Sequence, residues 1–222
     1  MNIHSKRYIM HIPDGYLSPT VVIATYAVAL PLWVYGFKKL KSSLNEETLP
    51  LIGVLSAMSF IIMMLNIPIP GGTSGHAVGA VLIAILFNPW IAYISISIVL
   101  LIQAIIFGDG GISTFATNSL TMGFVGAFVG YYVFEALKKY KFAPYLAGWS
   151  GIVASSLLVA ILLGIEPIFW TKNGMPLYFP FGLKTTIPAL VGAHMLFFGV
   201  VEAIFTGLIY NYVKNKNLEF IK

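Results

Sequence analysis

The sequence predicts an all-α integral membrane protein of about seven transmembrane helices, with the amino terminus outside and the carboxy terminus in the cytoplasm. Three observations carry this expectation. The 222-residue chain is 58% hydrophobic and only 9% charged, whereas about a quarter of the residues of soluble domains are charged. Its mean hydropathy is +0.87, and its apolar residues fall into runs near 20, the length that crosses about 30 Å of hydrocarbon. Its lysines cluster beside those runs, so a net charge of +5 points to membrane topology and not to nucleic acid.

Taken in order, the runs are Pro19–Phe37, Leu49–Ile67, His76–Phe87, Pro89–Phe107, Asn118–Leu137, Pro144–Gly164 and Leu183–Val213. The third is short. "FNPW" at Phe87–Trp90 separates it from the fourth, because Pro89 interrupts a helix and the two runs together are too long for one crossing. "KKLK" (Lys38–Lys41), "KKYK" (Lys138–Lys141), Lys214 and Lys216 follow the first, fifth and seventh runs. Seven crossings put all of them on one face, which the positive-inside bias makes cytoplasmic. The opposite face receives the amino terminus and the loops Asn66–Gly75, Gly108–Thr117 and Ile165–Gly182. No cysteine is present, so a metal site must use nitrogen, oxygen or methionine sulfur.

The polar residues of the outer face then stand out. "IPIPGGTSGHAVGA" (Ile67–Ala80) sets His76 after a loop of prolines and glycines, and "YIMHIPDGYLSP" (Tyr8–Pro19) sets His11 on the same face. His76 alone reads equally as a helix cap or a histidine bonded to a carbonyl. If Met10 is the first residue, its α-amine, the His11 backbone nitrogen and the His11 Nδ1 close adjacent five- and six-membered chelate rings. That donor set suits square-planar Ni(II), or less comfortably Co(II), with His76 at a fourth corner. If Met10 is internal, its amine is an amide and the chelate is lost. Met1–Ile9 holds Lys6 and Arg7 but no apolar stretch and no small-residue cleavage site, so it does not read as a signal peptide. It reads as a non-native leader or misassigned start, with 10–222 as a single transmembrane metal-binding domain.

Other positions carry open alternatives. Asp109 in "FGDGG" reads as part of a glycine-rich turn, or as part of a lid or a group acting behind the ligands. Asn118 reads as a helix cap or as an orienting group. His194 and Glu202 share one face of the last run and read as interior polar packing or as coupling to a partner. Gly126 and Gly130 form a GxxxG pair suited to close helix contact. Met58, Met63 and Met64 read as apolar filler before they read as a copper path. No G-x-x-x-x-G-K-[ST] occurs, so ATP hydrolysis is expected in other subunits and not in this chain, and no H-E-x-x-H occurs.

"MHIPDGYLSP" (Met10–Pro19), "GGTSGHAVGA" (Gly71–Ala80), "QAIIFGDGGISTFATNSLTMG" (Gln103–Gly123) and "GAHMLFFGVVEAIFTG" (Gly192–Gly207) together resemble the NikM/CbiM family. These are the substrate-binding membrane components of energy-coupling-factor (ECF) nickel and cobalt transporters. The resemblance runs from Met10 to about Val213. It implies a mature chain starting at Met10, metal held by Met10, His11 and His76, and a multi-pass location in the cell membrane. The implied partners are a transmembrane coupling protein, two ATPase subunits and a small accessory membrane subunit. The metal is cargo, and no resident cofactor is implied. The leader Met1–Ile9 departs from the family pattern. The Pro-Asp-Gly form of the opening motif leans toward nickel, since a Met-Glu-Gly form goes with cobalt members. The rival reading is a stand-alone secondary nickel/cobalt permease, which is expected to carry H-x4-D-H inside a span; this sequence has none.

Overall fold

A computed structural model describes residues 11–69 and 73–216. Among these, the chain forms seven helices: α1 (Pro19–Ser43), α2 (Thr48–Met64), α3 (Ala80–Leu86), α4 (Pro89–Phe107), α5 (Phe115–Leu137), α6 (Ala143–Phe169) and α7 (Leu183–Asn215). Two short antiparallel hairpins complete it, β1 (Ile67–Ile69) with β2 (Thr73–Gly75) and β3 (Thr171–Lys172) with β4 (Met175–Pro176). Five helices, α1 and α4 to α7, are long and apolar enough to cross a membrane, and α2 is a shorter apolar helix.

Local chemistry explains most of the boundaries. Ser18 caps α1 by accepting the Val21 N–H at 3.4 Å, with Pro19 in the first turn, where its missing N–H costs nothing. Asn88 caps α4, its Oδ1 accepting the N–H groups of Trp90 and Ile91 at 3.0 Å each, again with proline in the first turn. The separation expected at "FNPW" is therefore a capped turn. Asn173 (φ 53°) and Gly174 (φ 77°) make the two-residue turn between β3 and β4, the backbone that Asn-Gly favours in a hairpin.

The third run departs most from expectation. A helix starting at His76 was anticipated, but α3 begins only at Ala80, because Gly79 adopts a left-handed conformation (φ 75°) that no helix can continue through. Its seven residues rise about 10 Å, a third of the hydrocarbon thickness. All of them are buried, and α3 packs against α4, α5, α6 and α7, so this short helix is the hub of the bundle. The close approach expected of Gly126 and Gly130 is present: a Cβ on Gly126 would lie 2.6 Å from the Ser155 Oγ of α6, and one on Gly130 would overlap Val81 of α3. Small residues there let three helices meet.

Two further differences have physical causes. α6 continues past Gly164 to Phe169, its last turn closed by the Trp170 N–H donating to the Glu166 carbonyl at 2.9 Å despite Pro167. The loop expected from Ile165 therefore starts later. α4, α5 and α7 contain π-helical segments at Gln103–Phe107, Ser119–Val125, Ile187–Val191 and His194–Phe198. Such widened turns free carbonyls for other donors: Thr121 receives the Ser155 hydroxyl at 2.8 Å and Met195 receives the Trp149 indole at 3.0 Å. Met63 lies inside the apolar core while Met64 is exposed, so the methionines of α2 do not converge.

Candidate functional site

The segment before α1 is drawn into the bundle. Ile12 and Leu17 join Val159 and Leu163 of α6 and Phe179 in one apolar cluster, and His11 beside Ile12 is completely buried. Three polar grips hold the backbone in place. Asn118 spans the Ile12 peptide, its Oδ1 accepting the Ile12 N–H at 2.9 Å and its Nδ2 donating to the Ile12 carbonyl at 3.1 Å, and the Thr114 hydroxyl donates to the same carbonyl. Asp14 accepts the N–H groups of Ile112 at 3.2 Å and Ser113 at 2.8 Å, as well as the Ser113 hydroxyl. Glu166 accepts the Ser18 N–H at 2.9 Å and its hydroxyl at 3.2 Å. The opening segment is thus tied to the loop before α5, to α5 and to α6.

These grips bring the predicted residues together. The rings of His11 and His76 lie 4.9 Å apart, edge to face, and the Asp109 carboxylate sits 3.1 Å from the His11 Nδ1. Both Nε2 atoms are buried and lack a hydrogen-bond partner among the described residues. The His76 Nδ1 lies 2.9 Å from the Ala77 carbonyl. Asn118 lies one turn inside α5 and so is not its cap; it orients the residue that follows His11. Asp109 stands between Gly108 (φ 64°) and Gly110 (φ 86°) in a tight turn, with its carboxylate against His11. Met10 and the leader Met1–Ile9 lie outside the described residues.

His76 is held from the far side by a residue that sequence reasoning placed only in the interior. Glu202 of α7 accepts the N–H of Val78 at 2.7 Å and that of Gly79 at 2.9 Å, with both segments buried. An acid fixes the four-residue link between β2 and α3 in which His76 sits. His194 is buried on α7 with its Nδ1 2.7 Å from the Leu190 carbonyl and its ring against Phe198. The signal for Glu202 was available as a lone carboxylate in an apolar helix. Its partners, more than 120 residues away, were not.

Electrostatics favour a formed anchor at neutral pH. For Asp14, burial pushes the carboxyl up, but the Ser113 hydroxyl and the N–H groups of Ser113, Ile112 and Thr114 together hold it below its usual 3.8. For Asp109, burial again pushes up and the adjacent His11 outweighs it, leaving the carboxyl lowered from 3.8. A carboxyl lowered on folding stabilises the folded state above its unfolded value and loses that contribution as pH falls through its folded value. Hydrogen exchange at the Ile112 and Ser113 amides is therefore expected to stay protected from neutrality to pH 4 and to open below it. In Asp14→Ala the protection is expected to be lost at neutral pH as well.

The matching family is CbiM, described as the cobalt uptake substrate-specific transmembrane region, over residues 11–220. The chain is 40% identical over 221 residues to the fused nickel transport protein NikMN of Rhodobacter capsulatus, covering 96% of this chain and 64% of that one. It is 28% identical over 222 residues to the cobalt transport protein CbiM of Thermosipho melanesiensis, covering 98% and 93%. A crystal structure of a truncated transition metal transporter superposes with a TM-score of 0.89 at 43% identity, covering 93% of this chain and 99% of that one. The chain spans about 64% of the length of the fused relatives it matches. These relatives, together with the apolar helices, make it a multi-pass membrane protein. With the family's pattern matched along nearly all of its length, the chain belongs to the CbiM family.

Proposed function

We propose that this chain is the substrate-binding membrane component of an ATP-driven, ECF-type importer, taking Ni(II) or Co(II) from outside and passing it inward. The observation that carries the proposal is the buried imidazole pair, His11 and His76, with rings 4.9 Å apart at the end of a firmly anchored segment. Among the described residues no three His, Asp or Glu side chains are grouped so as to hold a metal. In a chain that begins at Met10, the Met10 α-amine and the His11 backbone nitrogen complete a four-nitrogen plane suited to Ni(II), the ligand set that the resemblance implies. Asn118 orients the backbone that follows His11, and the Asp109 carboxylate, 3.1 Å from the His11 Nδ1, holds the ring until metal takes that nitrogen. Relatives named for nickel and for cobalt both support the metal class.

The crossing pattern follows as part of this reading. Gly75–Val78, at no more than about 3.3 Å per residue, and α3 at about 1.5 Å per residue together reach at most about 24 Å across the turn at Gly79, which we read as a third pass. Seven passes place the amino terminus outside, where metal enters, and the carboxy terminus in the cytoplasm. The chain has no phosphate-binding G-x-x-x-x-G-K-[ST], so the drive comes from two ATPase subunits acting through a transmembrane coupling protein, with a small accessory membrane subunit beside them. The segment 10–222 acts as one metal-binding domain.

Two measurements test this. Calorimetric titration of Ni(II) into protein starting at Met10 is expected to show tight binding, and protein retaining Met1–Ile9 is expected to bind far more weakly, because its residue-10 nitrogen is an amide. Equal affinity would remove the amine from the site. Vesicles holding the full complex are expected to take up Ni(II) only with catalytically intact ATPases. Uptake by the isolated chain down a metal gradient would favour the secondary permease.

A further inference from the structure

At the lysine-bearing end of the bundle, α5, α6 and α7 enclose a cavity of about 510 Å³ lined by Lys138, Lys139, Lys141, Lys214, Tyr210 and Asn211, among others. Among the described residues no Asp or Glu lines it. Lys138 pairs with Glu135 on the rim at 2.8 Å. Among the described residues Lys139, Lys141 and Lys214 have no carboxylate partner; Lys139 and Lys214 lie over the rings of Tyr140 and Tyr210 at 5.3 and 5.9 Å. Like charges gathered around a concave surface repel one another unless an anion enters.

A second groove continues along the same two helices. Phe142, Tyr145, Leu146 and Trp149 of the α6 end, with Ala203 of α7, line about 400 Å³ of almost wholly apolar space. From Phe142 to Trp149 it follows α6 for about 10 Å. The grooves are joined by one contact: Asn211, which lines the basic cavity, donates to the hydroxyl of Tyr145, which lines the apolar one, at 3.2 Å. The Trp149 indole is fixed by the Met195 carbonyl, so the apolar wall is preformed.

We propose that these joined grooves are a binding site for a phospholipid with an anionic headgroup, whose phosphate sits among Lys139, Lys141 and Lys214 and whose acyl chain lies along Phe142–Trp149. A free phosphate would leave the apolar groove unused, and a neutral lipid would leave the lysines unpaired. Basic pockets between membrane helices select anionic headgroups in this way. The site is separate from the His11–His76 pair and does not depend on its role.

Native mass spectrometry of the full chain, titrated with phosphatidylglycerol, phosphatidylcholine and glycerol phosphate, tests it. Phosphatidylglycerol is expected to bind most tightly. Each lysine near a membrane surface strengthens attraction to anionic lipid about fivefold, so the combined Lys139→Gln, Lys141→Gln and Lys214→Gln variant is expected to lose about 100-fold. Lys172→Gln with Lys184→Gln, outside the groove, is expected to lose nothing. Ala203→Leu, which narrows the apolar groove, is expected to weaken the lipid and leave glycerol phosphate unchanged. Glycerol phosphate binding as tightly as the lipid, equal binding of the two lipids, or an unaffected triple variant would each overturn the proposal. So would a triple variant that keeps lipid binding and loses only a partner membrane subunit, which would make the groove a protein-docking surface. Thermal unfolding of each variant separates loss of the site from loss of the fold, and the single lysine variants, each expected to lose about fivefold, serve where the triple one does not fold.

Discussion

His76→Ala is expected to weaken Ni(II) binding by well over the roughly 100-fold that marks the upper range for groups acting behind a ligand, while His194→Ala stays within or below that range. Both histidines are buried in an apolar bundle, so burial does not distinguish them. Their surroundings do. The His76 Nε2 has no hydrogen-bond partner among the described residues and its ring faces His11 at 4.9 Å. The His194 Nδ1 is taken up by the Leu190 carbonyl of its own helix at 2.7 Å, and its ring rests on Phe198. Removing His76 deletes one of four proposed metal bonds, whereas removing His194 deletes packing beside the site. Calorimetric titration at neutral pH, with unfolding midpoints measured in parallel, decides between them, and equal losses would relocate the site. Binding by the unaltered chain is also expected to fade in acid, because protonated ligands cannot coordinate.

The sequence discloses its long helices and hides its irregular ones for a single reason. A crossing of about 20 apolar residues announces itself by length, and lysines or an Asn-Pro cap mark its ends, so α1, α4, α5 and α7 lie close to where the apolar runs place them. The run 76–87 is just as apolar, yet hydropathy does not register that Gly79 turns left-handed, and the helix there is only seven residues long. The widened turns of α4, α5 and α7 leave no trace in composition, and the carbonyls they free in α5 and α7 are met by residues distant in sequence, Ser155 and Trp149. His11, His76, Asp109 and Asn118 stood out as polar groups in an oily chain, and the fold gathers them. What sequence could not supply was the set of long-range grips: Ser18 to Glu166, Asp14 to Ser113, and Glu202 to the link that carries His76.

Glu202→Ala is expected to lower both stability and metal affinity, although Glu202 is not proposed to touch the metal. The link Gly75–Gly79 is neither helix nor strand beyond Gly75, so its N–H groups depend on partners from elsewhere. Glu202 accepts two of them, Val78 at 2.7 Å and Gly79 at 2.9 Å, inside the core. Alanine leaves both donors buried and unpaired, and each such group costs about 1–3 kcal/mol, so a loss of about 2–6 kcal/mol is expected. Glu202→Gln keeps one carbonyl oxygen and replaces the other acceptor by an amide donor, which should recover part of that loss but not all of it. The freed link no longer holds His76 against His11, so Ni(II) affinity should fall in the same order, alanine below glutamine below the unaltered chain. A purely apolar packing role predicts something different, namely that Glu202→Leu would be tolerated at least as well as Glu202→Gln. Unfolding midpoints and Ni(II) titrations of the three variants read both effects. Leucine matching or exceeding glutamine in both measurements would show that α7 holds the link by packing and not by accepting its hydrogen bonds.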